Sequence, residues 1–455
     1  MGHGAPARGT GQSREVQQNL GNSAQANRAP AEAGSDAATG SSRPLKIVFF
    51  PLGYVLAHIS RCVEIGKELR ARGHEVVYAG DDPAHPRSRM KLAAEAGFRV
   101  ERVREPFHPY GWDRFVRHGW TASAVDLIRL NTWVPLQGII EDQVELMREE
   151  RPDLAVGDAS ISVSTAAYIA QTPAACIMNA YASHFLSPQS LFHLIIPMYD
   201  RFLLAPKRKR AYERFGVKPL DALSLLRSIP LISPDLPELY DPPSYFPHYH
   251  TVGPIWAEHP GPLPDWFGEL EDGTPNVYVT MGSTGLLETF LRRTFRVLGK
   301  APYRFIVTTG GQASEETVRS APDNFRITRY APGTEILKRS KALIFHGGNG
   351  TMYQALLAGV PMISLPSHLE QDVITRIAVS KGFCIRMKAR RVSSQRLLEN
   401  LQRIIEEPQY REAARRYSEP IRAANGVARA ADVLEQWARE GKPAGSGLNG
   451  RHHPG

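Results

Sequence analysis

The sequence predicts an α/β protein with one parallel sheet in each half of the chain and a helical C-terminal segment. Short β-branched or aromatic runs alternate with helical patterns through both halves, as in strand–helix–strand units. A Pro-rich stretch around 230–264 separates two series of similar size. The 455 residues suffice for two or three domains with sizeable buried cores.

The first half opens on an apolar strand, KIVFF at 46–50. A helix from about 60 to 72 follows and ends before Gly73, because glycine readily adopts the left-handed conformation found after helices. The helical pattern at 121–150 contains Pro135, which predicts a kink or two separate helices. Further strands are predicted at 75–79, 98–103, 154–157 and 174–178.

The second half repeats the alternation and ends in helices. Its strands are predicted at 277–280, 304–307, 325–328, 342–345 and 362–365. Its closing helices are predicted at 393–406, 408–424 and 428–440. Ligands of open α/β sheets bind beyond the carboxyl ends of the strands, so we expect the site in the loops that follow strands.

These patterns divide the chain into six segments. The terminal segments contain too few large apolar side chains to offset the entropy lost on ordering, so we predict disordered tails at 1–43 and 441–455. Between them we predict an N-terminal α/β domain, a linker, a C-terminal α/β domain and closing helices, at 44–240, 241–264, 265–407 and 408–440.

The chain is basic, with 55 Lys and Arg against 46 Asp and Glu and a net charge of +9, which favours anionic ligands or a membrane surface. The run KRKR at 207–210 is either a solvated face or a contact for anionic lipid or an acidic acceptor. No aromatic-interleaved basic stripe accompanies it, so we expect no nucleic-acid partner. Without a signal-like segment or an apolar span of ~18 residues, we expect a cytoplasmic protein, with peripheral contact at the inner membrane face left open.

Three cysteines, Cys62, Cys176 and Cys384, lie far apart in apolar surroundings. An odd, scattered set is poor evidence for disulfides or a zinc site, so we predict buried, reduced side chains. The chain also has no D-x-D triplet, and we predict no metal site.

The strongest functional signal is HGGNGT at 346–351, which follows the strand at 342–345 and opens a helix. Glycine lets a backbone approach a ligand closely, and a helix start offers free N–H groups and the positive end of the dipole. A diphosphate cradle is therefore predicted, and a purely structural turn is the alternative. Its residues are His346, Gly348, Asn349, Gly350 and Thr351.

Three further segments fit the same ligand. The loop after the strand at 277–280 could contact phosphate, and it lacks the G-x-S-x-G spacing of a hydrolase nucleophile. A carboxylate beside an amide at 370–371 suits sugar hydroxyls, which donate and accept. The main chain at 330–331 could bind a base. These predicted ligands are Gly282, Ser283, Thr284, Tyr330, Ala331, Glu370 and Gln371.

The segment at 346–351, with GVP at 359–361, Pro366 and Glu370-Gln371, resembles the donor signature of the UDP-glycosyltransferase family, in particular its bacterial UDP-glucuronosyl- and UDP-glucosyltransferase-like members. Weaker similarity extends from residue 46 to about 440. The resemblance implies the GT-B fold, in which two Rossmann-like parallel-sheet domains face a cleft and C-terminal helices return to the N-terminal domain. The N-terminal domain would bind the acceptor and the C-terminal domain the nucleotide sugar.

The resemblance also implies catalytic roles. His58 matches the general base that deprotonates the acceptor hydroxyl, and Asp158 matches the aspartate that orients it. A carboxylate there would stabilise the imidazolium that forms. The alternative for Asp158 is a cap on the helix that begins near Ser160. Five positions depart from the family. Ala57 stands for a usual glycine, Arg61 for a common proline, Gly333 for a base-contacting glutamine and Thr375 for a common asparagine, and Gln354 occupies the place of the glutamate that binds the ribose in plant members.

We therefore predict an inverting, metal-independent hexosyltransferase that acts on the hydroxyl of a small lipophilic, lipid or glycan acceptor. Because Gln354 is a weaker partner for two ribose hydroxyls than glutamate, the donor nucleotide stays open between UDP and dTDP. No cofactor is expected beyond the nucleotide sugar as co-substrate. Two alternatives remain: an epimerase or hydrolase of sugar nucleotides on the same fold, and a non-catalytic sugar-nucleotide-binding subunit. The sequence does not indicate an oligomeric state.

Overall fold

The computed structural model describes residues 43–53, 55–85, 88–104, 134–182, 200–257, 261–282, 284–367, 369–389 and 392–448. Over these residues the chain forms two sheets in which every strand pair is parallel. The predicted tail at 1–43, apart from Arg43, lies outside the described residues.

The first sheet has seven strands in the order β3-β2-β1-β4-β5-β6-β7. Five of them are predicted by the sequence, with ends shifted by at most one or two residues. The other two, β6 and β7, have only three residues each, and β7 falls within the segment predicted as linker. The strands are β1 (Lys46–Phe50), β2 (Glu75–Gly80), β3 (Arg99–Arg102), β4 (Leu154–Asp158), β5 (Ala174–Ile177), β6 (Leu231–Ser233) and β7 (Tyr249–Thr251).

The second sheet has six strands in the order β10-β9-β8-β11-β12-β13. In each sheet the first three strands run outward from β1 or β8, and the fourth returns to pair with the other side of that same strand. This reversal is the doubly wound Rossmann arrangement. The three-residue strand β13 is the one that the sequence pattern missed. The strands are β8 (Asn276–Thr280), β9 (Arg304–Thr308), β10 (Phe325–Thr328), β11 (Ser340–Phe345), β12 (Met362–Ser364) and β13 (Cys384–Arg386).

Helices cover the sheets, and the inner strands accordingly carry unbroken apolar runs, IVFF in β1 and ALIF in β11. In the first half the helices are α1 (Leu56–Ala71), α2 (Lys91–Glu95), α3 (Leu136–Glu150), α4 (Ile161–Ala170), α5 (Ala205–Phe215) and α6 (Ala222–Arg227). A π-helical turn, Asp200–Leu204, precedes α5. The predicted break at Pro135 is confirmed at one side, because α3 begins directly after this proline; residues 121–133 lie outside the described part.

In the second half the described residues form nine α-helices, several of them short. They are α7 (Leu287–Leu298), α8 (Glu315–Arg319), α9 (Gly333–Lys338), α10 (Asn349–Leu357), α11 (Leu369–Ser380), α12 (Ser394–Glu406), α13 (Pro408–Arg415), α14 (Ser418–Ala423) and α15 (Gly426–Glu440), with a 3-10 helix at Asp265–Glu271. The single helix predicted at 408–424 is wrong, since α13 and α14 are separate. Pro420 explains the break, because proline is tolerated in the first turn of a helix and not in its interior.

The last helix returns to the first sheet, as the resemblance implied. Along α15, Ala430 and Leu434 are buried in the same cluster as Ile47 of β1. Arg72, after α1, donates to Asp432 at 2.6 Å. The chain thus crosses between the halves twice, and the two crossings touch, because a Cβ at Gly426 would lie 2.6 Å from the Gly253 carbonyl oxygen.

Two compositional predictions have direct outcomes. All three cysteines are buried and free, as expected. The basic run at 207–210 lies on α5 and is only half solvated, since Arg208 is buried in an ion pair with Asp200 and Lys207 donates to the Val134 carbonyl. Within the described residues, no helix is long and apolar enough to cross a membrane.

Candidate active site

Both sheets place candidate site residues at the point where the strand order reverses. In the first sheet β1 and β4 are neighbours, with Phe50 opposite Gly157 near their carboxyl ends. In the second sheet β8 and β11 are neighbours, with Thr280 opposite Phe345. Loops diverge to opposite faces at these points and leave a crevice, so this is where ligands of doubly wound sheets bind.

The structure brings His58 and Asp158 together at the first of these points. His58 lies in the first turn of α1, and Asp158 is the last residue of β4. The distance between His58 Nδ1 and Asp158 Oδ1 is 2.6 Å, and the imidazole is 12% exposed while the carboxylate is fully buried. Asp158 does not cap α4, whose N-cap residue is Ser160. The alternative of a simple capping role is therefore wrong.

Arg61 completes this cluster, and the sequence reasoning missed it as a site residue. Its Nε donates to Asp158 Oδ2 at 2.5 Å, and its Nη2 donates to Oδ1. Its Nη1 donates to the side-chain oxygen of Asn179 at 2.6 Å. The signal was available, because residues three apart on a helix share a face, and Arg61 follows His58 by three on α1.

Burial and charge decide the ionisation of this cluster. Burial by itself would raise the pKa of Asp158, but the Arg61 charge and then His58 hold it well below its ordinary value. Burial would likewise lower the pKa of Arg61, and Asp158 raises it instead. Burial raises the pKa of Cys62, whose thiol donates to Asp158 Oδ2 at 3.3 Å. Asp158 is therefore a carboxylate paired with a guanidinium, beside a neutral thiol.

The second reversal point holds the start of α10. Gly348 is its N-cap, and the first intrahelical bond runs from Met352 N to the Gly348 carbonyl at 3.0 Å. The main-chain N–H groups of Asn349, Gly350 and Thr351 thus belong to the first turn, where a helix offers donors without intrahelical partners. A Cβ at Gly350 would meet nothing within 4 Å, so this turn faces open space.

The imidazole of His346 lies between two glycines from neighbouring loops. A Cβ at Gly282, after β8, would lie 2.7 Å from His346 Nε2, and a Cβ at Gly348 would overlap the same nitrogen. Gly282 also has φ +53, a conformation that side chains disfavour. Glycine at both positions is therefore what allows the imidazole to lie against the start of α10. This places at the helix terminus a further ring nitrogen that can donate a hydrogen bond.

Three comparisons agree with this geometry. Residues 295–434 match the family described as "Erythromycin biosynthesis protein CIII-like, C-terminal domain". A PGL/p-HBAD biosynthesis rhamnosyltransferase of Mycobacterium bovis (strain BCG / Pasteur 1173P2) is 28% identical over 414 residues, 84% of this chain and 86% of that protein. CalG4, the calicheamicin glycosyltransferase, superposes with a TM-score of 0.70 at 20% identity over 87% of this chain and 98% of its own.

The protein is a GT-B glycosyltransferase. A further solved structure, the glycosyltransferase VinC in complex with dTDP, superposes with a TM-score of 0.65 at 20% identity, over 87% of this chain and 100% of that one. These findings confirm the resemblance to the UDP-glycosyltransferase family and the predicted fold.

Two of the residues predicted to bind the nucleotide sugar in this glycosyltransferase form side-chain hydrogen bonds within the protein. The Thr284 hydroxyl donates to the Met281 carbonyl at 2.7 Å. The Gln371 side-chain oxygen accepts from the main chain and the hydroxyl of Ser367, each at 2.9 Å. At these two positions the hydrogen bonds hold the side chain within its own loop, and they do not point it toward a ligand. Ser283 lies outside the described residues.

The remaining predicted ligands line the second half of the glycosyltransferase. Tyr330 is 47% exposed before α9, whereas Ala331 is buried. Gln354 of α10 faces the start of α9, since its Oε1 would lie 3.4 Å from a Cβ at Gly333. Glu370 accepts a hydrogen bond from Tyr181, which follows β5 in the first half. Burial and then the Glu370 charge raise the pKa of Tyr181 well above its ordinary value.

Proposed function

We propose that this glycosyltransferase transfers a hexose from dTDP or UDP to a hydroxyl of a small lipophilic, lipid or glycan acceptor, with inversion and without a bound metal. The observation that carries the proposal is the 2.6 Å contact between His58 Nδ1 and Asp158 Oδ1 at the reversal point of the first sheet. A base held by a buried carboxylate at a ligand-binding edge is suited to deprotonating an acceptor hydroxyl.

The contact with Asp158 also selects the tautomer of His58. A carboxylate cannot donate, so Nδ1 carries the hydrogen in that bond and Nε2 keeps its lone pair for the acceptor proton. Arg61 Nη2 lies 2.9 Å from the same Nδ1, but it donates to Asp158 Oδ1 and so does not require a lone pair on Nδ1. When Nε2 takes the proton, Asp158 stabilises the imidazolium as the aspartate of a hydrolase triad does.

The leaving group is accommodated by the second half. In a single displacement the acceptor oxygen bonds to the anomeric carbon, the bond from that carbon to the diphosphate oxygen breaks, and the diphosphate carries away the electron pair. Entry opposite to the leaving group inverts the anomeric centre. In this proposal the first turn of α10 and His346 stabilise the negative charge that develops on the diphosphate, which is the work that a metal ion does in other transferases.

The donor nucleotide and the acceptor class are supported less directly than the role of His58. The dTDP complex of VinC supports dTDP as the first donor nucleotide to test, with UDP as the second. The mycobacterial relative is named for PGL/p-HBAD biosynthesis, and the CalG4 relative for calicheamicin. These names do not state an acceptor group, so the proposed acceptor class rests on the resemblance described for the sequence. Aromatic side chains at 106–120 would be a further source of contacts to such an acceptor, and they lie outside the described residues.

Binding is tested first by thermal unfolding with dTDP, UDP, GDP and ADP, each measured once with Mg²⁺ and once with EDTA. A ligand at a hundred times its dissociation constant stabilises the folded state by about 2.7 kcal/mol, which gives a measurable shift. We expect a shift with dTDP or UDP. No shift with any of the four would overturn the donor assignment, and a shift that disappears in EDTA would overturn metal independence.

Turnover is tested with the matching nucleotide sugar and a panel of phenolic and lipid alcohols, with the product anomer determined by NMR. His58→Ala is expected to lower kcat by about 10²–10⁴-fold with unchanged nucleotide affinity. Leu56→Ala is the matched control, because Leu56 is 45% exposed in the same helical turn. Release of free or epimerised sugar without acceptor would instead favour a hydrolase or an epimerase.

A further inference from the structure

A buried carboxylate, Asp235, connects the half of the chain that carries His58 to the helix that opens the donor site. Asp235 lies two residues after β6 and is fully buried. Its Oδ1 accepts from Asn349 Nδ2 at 2.6 Å and from the Tyr353 hydroxyl at 2.9 Å. Both donors belong to α10, so one carboxyl oxygen is committed to the donor helix.

The other oxygen of Asp235 is committed to the first sheet. Oδ2 accepts from the main-chain N–H of Ala180 at 2.7 Å and from the Ser233 hydroxyl at 3.2 Å. Asn179 Nδ2 lies 3.5 Å from the same oxygen. Ala180 and Asn179 follow β5, and Ser233 ends β6. The carboxylate therefore divides its two oxygens between the two halves of the chain.

The same contacts reach the base. Asn179 Oδ1 accepts from Arg61 Nη1 at 2.6 Å, and Arg61 forms the two-point pair with the Asp158 that contacts His58. Hydrogen bonds thus run continuously from the base to the first residue of the donor helix. We refer to this series as the polar path: His58, Asp158, Arg61, Asn179, Asp235 and Asn349.

We propose that Asp235 is a positioning residue that fixes α10 relative to the half of the chain that carries His58; the proposal rests on the proposed transfer reaction. The acceptor oxygen, held by one half, must line up with the anomeric carbon held by the other. A misplacement of about 1 Å can cost on the order of 100-fold in rate. Directional bonds to a buried carboxylate define such a placement, because a loss of alignment leaves donors unsatisfied in a low dielectric.

The polar path also explains why the Asn349 side chain is not available as a ligand. Its Nδ2 is bonded to Asp235, and the Tyr240 hydroxyl lies 3.5 Å from its Oδ1. Asn349 therefore offers a nucleotide its main-chain N–H, while its amide holds the helix in place. The sequence predicted Asn349 as a donor contact and did not indicate this second role.

The substitution Asp235→Asn breaks the path on one side only. The main-chain N–H of Ala180 cannot turn away, so the amide oxygen of the variant is expected at the Oδ2 position. The new NH₂ group then faces Asn349 and Tyr353, which both donate to the native carboxylate. Shape is retained, and the bonds to the first sheet are retained. The substitution therefore changes only the hydrogen bonds between residue 235 and α10.

The test measures transfer kinetics, nucleotide affinity and amide hydrogen exchange for the wild type, Asp235→Asn and Ser233→Ala. Ser233 is the matched control because its buried hydroxyl bonds the same carboxylate and does not touch α10. For Asp235→Asn we expect kcat to fall by about 10–100-fold while the Kd for the nucleotide diphosphate changes by less than about threefold, together with exchange at amides 352–356 faster by about tenfold or more. For Ser233→Ala we expect both kcat and the Kd for the nucleotide diphosphate within about threefold of the wild type.

Equal kcat for Asp235→Asn and the wild type, or an equal loss in Ser233→Ala, would overturn the positioning role. If Asp235→Asn does not fold, Tyr353→Phe removes one donor to Oδ1 and must show the same separation of kcat from Kd. If the wild type transfers no sugar from any donor, the proposed function fails, and hydrogen exchange alone decides. In that case α10 amides that exchange no faster in Asp235→Asn than in Ser233→Ala contradict the proposal.

Discussion

Arg61 and Asp158 form a two-point ion pair inside the protein, in which both side chains are buried and both carboxyl oxygens accept from the guanidinium. The pair lies directly beside His58, which shares Oδ1 of the carboxylate. Two desolvated charges are tolerated only when each satisfies the other, and this carboxylate has a guanidinium, an imidazole and a thiol around it. The base of the proposed reaction thus depends on a buried arginine.

Breaking this pair from one side is expected to destabilise the fold. Asp158→Ala would leave the Arg61 guanidinium buried and without its carboxylate, at a cost of about 3–5 kcal/mol in the free energy of unfolding. Urea unfolding at pH 7 measures the loss. The double variant Arg61→Met/Asp158→Leu removes both charges and should recover much of it, although it cannot recover turnover. A double variant that is as unstable as Asp158→Ala would contradict the pairing argument.

Substitutions of His346 and His58 are expected to impair different steps, nucleotide binding and turnover respectively. His346→Ala removes a donor at the start of α10, where a bond to a charged group contributes about 1.5–3 kcal/mol, so nucleotide diphosphate affinity should fall by about 10–100-fold. Isothermal titration of the nucleotide measures this, and His58→Ala is the comparison, with unchanged affinity. Equal weakening in both variants would contradict the division into a base and a phosphate ligand.

The glycines around His346 give a sharper test of the same cradle. Gly348→Ala places a methyl group on His346 Nε2, so we expect a lower melting temperature as well as weaker nucleotide binding. Gly350→Ala meets nothing within 4 Å and lies inside α10, so the free protein should be unchanged or stabilised by up to about 1 kcal/mol. If the phosphates occupy that open space, Gly350→Ala nevertheless binds nucleotide more weakly. Unchanged nucleotide affinity in Gly350→Ala would place the diphosphate elsewhere.

Long apolar strands were the part of the fold that the sequence predicted well. β1, β8 and β11 are buried on both faces, so their apolar runs are unbroken and bounded by turns. β6, β7 and β13 were missed, whereas the equally short β12 was predicted because it lies in the longer apolar run at 362–365. The break between α13 and α14 was missed although Pro420 marks it, since the surrounding helical pattern continues through it.

The candidate site was predicted unevenly for a physical reason. Glycine-rich loops after strands have a local signature, so Gly282 and the residues at 346–351 could be identified from neighbouring letters. Asp235 could not, because most of its donors are distant in sequence: Asn349 and Tyr353 of α10, and Ala180 after β5. Arg61 lay between these cases. Its spacing from His58 placed it on the same helix face, but only the structure brings Asp158 and Asn179 to its guanidinium.

An ion-pair cluster around Glu150 predicts the acid stability of the first sheet. Glu150, at the end of α3, accepts from Arg99 of β3 at 2.6 Å and pairs with Lys46 of β1 at 2.5 Å. The hydrogen bonds from Arg99, against the opposing effect of burial, lower the pKa of Glu150 to about 2. A depressed carboxyl pKa contributes stability that is complete above the unfolded pKa of about 4.3 and is lost as the pH falls toward the folded value.

Glu150→Gln should therefore be less stable than the wild type at pH 7, and the difference should shrink between about pH 4.5 and pH 2, where the wild-type carboxylate takes up its proton. Thermal unfolding across that pH range measures the difference. Glu149→Gln is the control, because Glu149 is exposed on the same helix and its substitution should leave the pH profile unchanged. Since Arg99 is 46% exposed, salt weakens the effect, and the comparison is best made at low ionic strength. A constant difference in stability between Glu150→Gln and the wild type from pH 7 to pH 2 would mean that the substitution destabilises the protein through packing and not through charge. The Arg99 and Lys46 contacts would then not hold the carboxylate in its ionised form.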